Sequence, residues 1–205
     1  MTLGFLDQLR TRRDTSLPVV FEGLSQTRAY WEGLRQGAAL PSRRDVDPRG
    51  LVGVLDRVFL ADRIGRGLAQ IRIAGSALAD FAGTDVRGLP VSCLFGAESR
   101  GQLAETLEQV FTGPAIAELA LASDRSLGGG LIARLLLLPL SDDAGGRLVL
   151  GVMGFADPAP AQFKLQIRSR REEQLVLDPA LMVAPEPQVT PIRRMGHLSL
   201  VHSAE

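Results

Sequence analysis

The stretch "LIARLLLLPLSDDAGGRLVLGVMGFAD", residues 131–157, decides the fold. It holds two strongly apolar runs joined by a short polar segment. A membrane-spanning helix needs about 18–20 apolar residues in succession, and Arg134, Pro139 and the cluster Asp142, Asp143, Gly145 and Gly146 interrupt the pattern too early. Each run is instead of strand length, about eight to ten residues, and the Asp/Gly segment has the chemistry of a tight reversal. The reading is a β-hairpin. Because strand side chains alternate, Leu131, Ala133, Leu135 and Leu137 share one face, and Ile132, Arg134, Leu136 and Leu138 the other. Both faces are nearly apolar, whereas an antiparallel sheet with one wet face alternates apolar with polar residues. Something apolar must cover each side: an internal core on one, and a helix or a second copy of the chain on the other.

The 205 residues suit one domain of about 130–150 residues with extensions. The expected division is an N-terminal extension over 1–18, a domain over 19–157 and a C-terminal extension over 158–205, largely disordered after 177, where prolines accumulate and no period is sustained. With 23 Lys+Arg against 23 Asp+Glu, no bulk field draws nucleic acid or an anionic membrane surface. Lys164 is the only lysine, a bias that points to a GC-rich, bacterial coding background. A single cysteine, Cys93, excludes an intramolecular disulfide and a cysteine-built zinc site, as fits a reducing compartment. The opening "MTLGFLDQLRTRRD" lacks the apolar stretch and cleavage site of a secretory signal, so a cytoplasmic protein without a membrane span is expected. Leu3, Phe5, Leu6 and Leu9 would form a short apolar helix face, for docking on the protein itself or for membrane adhesion.

Working outward from the hairpin, Phe21, Leu24, Tyr30, Trp31 and Leu34 lie close to helical spacing within 19–36. Asp47 followed by Pro48 matches an N-cap with proline in the first turn, predicting a short helix with Leu51, Val54 and Leu55 as its buried stripe. Segments 57–63 and 68–74 read as two strands around a glycine turn. A brief helix follows, with Ser76 accepting from exposed amides and Gly83 closing it. After a loop comes the best helix of the sequence, with Ser99 and Gln102 as a capping box, apolar positions at Leu103, Leu107, Val110 and Phe111, and a stop at Gly113-Pro114. Residues 115–123 form a strand before a glycine turn and the hairpin, and 162–177 read as an amphipathic strand or helix. The pattern is α+β with an antiparallel sheet.

Tyr30-Trp31, Leu34-Arg35, Pro41-Ser42-Arg43, Asp47-Pro48, Arg72, Ala74-Gly75, Phe81 and Gly88 together resemble a group of small stand-alone PAS-domain proteins common in alphaproteobacteria, over roughly residues 20–157. The order of strands and helices agrees with that resemblance. It implies a five-stranded antiparallel sheet with helices packed on one face around a small cavity, and extra N-terminal helices. It also implies a sensory or regulatory module that binds small ligands, or a signalling protein such as a kinase or response regulator, without an attached effector. A homodimer through the Trp31 helix or the sheet back would serve the alternative of a ligand-free interaction adaptor.

Phe81, Phe95, Leu107, Phe111 and Met153 are the residues expected to line a cavity, if they are not simply core. Arg134 interrupts an apolar strand, so its charge must be paired, for instance with Glu118 on the neighbouring strand, or surface-facing, or directed at an anionic ligand. Haem-binding PAS domains supply a core histidine, whereas His197 and His202 fall in the tail, which argues against histidine-ligated haem and a His-dependent triad. "GLPVSCLFG" around Cys93 superficially resembles the flavin-adduct loop of LOV domains, but the flanking amides and arginine are missing, which argues against that flavin chemistry; the thiol reads as structural. The charges of 167–173 read as a solvated face and "LGGGLI" as a strand-to-strand turn; no phosphate loop and no catalytic constellation is present, so no enzymatic activity is expected.

Overall fold

A computed structural model of the chain describes residues 21–35, 39–123, 130–142, 147–156 and 163–177. The N-terminal extension with Leu3, Phe5, Leu6 and Leu9, the hairpin reversal at 143–146, and the tail from 178 onward with both histidines lie outside the described residues.

The two apolar runs do pair with each other. Strand β4 (Leu131–Ser141) and strand β5 (Arg147–Phe155) run antiparallel from Ala133 opposite Phe155 to Ser141 opposite Arg147. They form the middle of a sheet completed by β1 (Val58–Gly65), β2 (Leu68–Ala74), β3 (Ala115–Ser123) and β6 (Leu165–Gln174), in the order β2-β1-β5-β4-β3-β6. Every pairing between neighbours is antiparallel.

The two faces bury separate cores. On the inner face Ala133, Leu135 and Leu137 meet Phe59, Ile71, Leu119, Val149 and Met153, under helix α2 (Ser76–Ala82) and helix α3 (Ala97–Thr112). On the outer face Leu136, Leu138, Leu140, Leu150 and Val152 meet helix α1 (Leu24–Leu34), whose Trp31 is wholly buried. The indole of Trp31 donates to the Pro139 carbonyl at 2.9 Å, so the polar edge of the largest outer-face side chain is satisfied. The covering helix that the sequence demands is thus supplied by the chain itself. Two glycines of β5 make the close approaches possible. A Cβ at Gly151 would sit 2.1 Å from the Phe59 ring on the inner face, and one at Gly154 would sit 2.6 Å from Leu24 on the outer face.

Several expectations are corrected. The sheet has six strands rather than five, because segment 165–174 is a strand that covers the β3 edge from Ala115 opposite Gln174 to Ser123 opposite Leu165. Its charged composition suits an outermost strand, where it discourages further pairing. Ser99 is not a cap: α3 starts at Ala97 after Gly96, and the Ser99 hydroxyl accepts from the Ile167 backbone of β6 at 2.9 Å. Ser76 is the first residue of α2 rather than its cap, although Gly83 closes that helix in the left-handed conformation, φ 69°. The short helix after Asp47 is a pair of 3-10 turns, Pro48–Leu51 and Leu55–Arg57, and a further 3-10 turn, Arg43–Asp45, precedes it. Leu51 and Val54 are buried there but Leu55 is exposed, because Val54 (φ −132°, ψ 0°) leaves the helical conformation and Leu55 starts a new turn. Ile132 packs with the inner core, not with Leu136, since an irregularity between Leu121 and Ala122 shifts the strand phase beside it.

Replacing Trp31 with alanine removes the centre of the outer core and is expected to cost about 3–5 kcal/mol, read as a lowered midpoint in urea with secondary structure otherwise retained below the transition.

Candidate functional site

Of the six residues expected to form a site, five come together in the inner core and Arg134 lies apart from them. Phe81, Phe95, Leu107, Phe111 and Met153 belong to one inner cluster, and Phe95, Leu107, Phe111 and Met153 are packed against other side chains at close to zero exposure. Among them Phe81 alone reaches a concavity. Its ring stacks on that of Phe155, with centroids 5.1 Å apart, and the residue lines a cleft of about 310 Å³ together with Ala82, Gly83, Leu94, Phe163 and Lys164. The lining joins aromatic and aliphatic side chains to bare backbone and one charged group, and the volume lies at the small end of the range of about 300–1,000 Å³ usual for small-molecule sites.

Local structure explains why these residues meet. Helix α2 ends at Ala82, and the left-handed Gly83 turns the chain away, leaving bare backbone at the cleft wall. A 3-10 turn over Val91–Leu94 presents Leu94 from below and Cys93 beside it. The third wall comes from the approach to β6, where the Lys164 ammonium donates to the Cys93 carbonyl at 2.7 Å and Gly96 N–H donates to the Leu165 carbonyl at 3.0 Å. Burial pushes the Cys93 thiol above its ordinary pKa, while Lys164 and Arg100 pull it the other way. A thiol kept protonated is a poor nucleophile, which agrees with its structural reading.

Arg134 sits on the opposite face of the sheet. It pairs in register with Gly154 and Ala120, its guanidinium donates to the Glu118 carboxylate at 2.6 Å, and it lies 5.4 Å from the centre of the Phe21 ring. It therefore takes the ion-pair alternative, and no ligand at the cleft can touch it. Elsewhere, Asp85 is held down to about 2 by side-chain and backbone hydrogen bonds from Arg87, both side chains being exposed on either side of the buried Val86. Among the described residues no group of three His, Cys, Asp or Glu side chains is placed to hold a metal, and no helix is long and apolar enough to cross a membrane.

Sequence reasoning found Phe81 and missed the other five lining residues. Lys164 carried a visible signal, as the only lysine in an arginine-rich chain, but its position beside Cys93 follows from the pairing of β6 with β3, which no local pattern encodes.

A double-mutant cycle on Arg134→Met and Glu118→Gln is expected to give a coupling of no more than about 1 kcal/mol, since both side chains keep contact with solvent. A much larger coupling, measured by urea unfolding, would mark Arg134 as more than a surface pair.

No curated protein matches the chain. A family model described as "PAS domain" matches residues 21–154, which take in α1, the 3-10 turns, both inner helices and strands β1 to β5 almost to the end of β5. With more than half of its length matched, and with this sheet and helix arrangement, the chain belongs to the PAS-domain family.

Proposed function

We propose that this PAS domain is a sensory, regulatory module of bacterial signal transduction, working in the cytoplasm without catalysis of its own. In this reading a small ligand at the cleft changes the module's contact with a signalling protein such as a kinase or response regulator. The observation that carries it is the position of Phe81. That side chain both lines the cleft and stacks its ring on Phe155 at the end of β5. An occupant therefore presses on a ring already coupled to the central hairpin, so binding at the surface biases the packing of the sheet. Only a ligand with different affinities for two arrangements can shift one toward the other.

A second reading, a ligand-free interaction adaptor, is favoured by the β1–β2 hairpin. Ile64, Leu68 and Ile73 on it are 52%, 44% and 51% exposed, more than isolated surface positions need. Ile73 stands opposite Leu60, a residue of the outer core, whereas Ile64 and Leu68 lie at the turn end of the hairpin. Dimerisation would use this region rather than Trp31, whose side chain is occupied within its own chain.

Thermal-shift screening of a metabolite library combined with native mass spectrometry separates the two. The sensory reading expects at least one compound bound one to one, stabilising by about 2.7 kcal/mol at a hundredfold excess over Kd and so raising Tm by several degrees. Dimers that form without any bound compound, and that dissociate on Ile73→Asp, would establish the adaptor instead.

A further inference from the structure

We infer that the residues preceding α1 fold back onto the margin of the outer layer, seating the apolar face of Leu3, Phe5, Leu6 and Leu9 on Val52, Leu55 and Ile73. At Ile73 this contact covers part of the surface that the adaptor reading uses for dimerisation, so the segment acts as an intramolecular cover that a partner must displace. It is independent of any ligand at the cleft. Three observations carry it.

The outer layer is unfinished at one margin. Helix α1 lies on β4 and β5, but Val52, Leu55 and Ile73 beside it remain 67%, 43% and 51% exposed. Single exposed apolar side chains need no explanation, whereas a group of them marks a contact surface. These three share one neighbourhood. The Leu55 carbonyl lies 2.2 Å from where a Cβ on Gly75 would sit, two residues after Ile73, and Ile73 stands opposite Leu60 of the outer core.

The chain enters the fold at that same margin. Glu22 accepts from Arg57 at 3.2 Å, Gln26 donates to the Val52 carbonyl at 3.0 Å, and a Cβ on Gly23 would sit 3.2 Å from Val54. The first turn of α1 is thus fastened to the segment that carries Val52 and Leu55. A Cβ on Gly154 would sit 3.0 Å from that of Phe21, and Gly154 lies two residues past Val152, the partner of Val58 at the start of β1. Phe21, Leu55 and Ile73 therefore stand at one end of the sheet.

The preceding residues have the composition and the reach. Leu3, Leu6 and Leu9 recur every three residues, with Phe5 on the same side of a helix. Between Leu9 and Phe21, residues 10–20 cover about 16 Å even at the helical rise of about 1.5 Å per residue, whereas β5 and β2 are two strand spacings apart, about 10 Å. A segment tethered this closely meets the patch at an effective concentration of about millimolar, which favours it over a second copy of the chain. It also lies outside the stretch matched by the family model, so the cover is a feature of the present chain.

Solvent paramagnetic relaxation of methyl groups in the full-length protein tests the contact. With isoleucine and leucine methyls labelled and a neutral gadolinium chelate in the solvent, Ile71 is the buried reference, and Ile64, at the turn end of the hairpin, the exposed one. The Ile73 methyl should relax like that of Ile71, keep its protection on dilution and show cross-peaks to the methyls of Leu6 or Leu9. In a variant carrying Leu3→Glu, Leu6→Glu and Leu9→Glu it should relax like Ile64, while Ile71 stays protected and reports an intact fold. The proposal is overturned if Ile73 of the unsubstituted chain relaxes like Ile64 or lacks those cross-peaks, or if its protection survives the three substitutions. Protection lost on dilution together with a dimer in sedimentation velocity overturns it as well, and makes a second copy the occupant.

Discussion

The structure depends on one constraint: the hairpin of β4 and β5 is apolar on both faces, and neither face tolerates water. Leu135 and Leu137 face one way, and Leu136, Leu138 and Leu140 the other, all nearly or wholly buried. A sheet with two such faces needs cover on both. The inner cover is α2 and α3, and the outer cover is α1 with the 3-10 turns that follow it. Leaving either face bare would expose a contiguous apolar surface of the kind that drives aggregation.

Much of the sequence pattern that resembles PAS proteins serves to hold the outer cover in place. Trp31 anchors on Pro139, and the Tyr30 hydroxyl accepts from the Asp47 amide at 2.7 Å. Ser42 and Asp45 form a reciprocal cap, and Asp47 caps the next turn through the Arg49 amide. The Pro41 carbonyl accepts from the Ser141 amide at the far end of β4, which ties the returning chain to the hairpin it covers. These residues are scaffold, and Phe81 and Leu94 belong both to the inner core and to the cleft wall. A cleft built at the margin of a packed core can change occupancy without dismantling that core, while Phe155 still registers the change.

The hairpin, the inner helices and the burial of Trp31 were legible in the sequence because their signals are local: periodicity, turn chemistry and apolar density. The sixth strand was half legible. "LQIRSRREEQ" alternates too weakly to choose between strand and helix, and the choice is made by the free edge of β3 and by the hydroxyl of Ser99, 68 residues earlier. That hydroxyl was read as a cap because Ser99 and Gln102 have capping spacing, but the helix had already begun after Gly96. Arg134 offered three alternatives, and the choice needed the register of β3 against β4, which sets Glu118 beside it. The cleft was the least legible feature, since its walls come from three segments brought together by the β3–β6 pairing and by backbone contacts of 93–96 with 164–165.

Native-state hydrogen exchange tests the central claim most directly, because it reads the stability of each strand separately. If the two-faced hairpin organises the fold, the amides of residues 133–138 and 149–153 exchange only through global unfolding, with one common free energy that exceeds that of the β1–β2 hairpin. Exchange of those amides through an easier local opening, while β1 and β2 stay protected, would contradict the account.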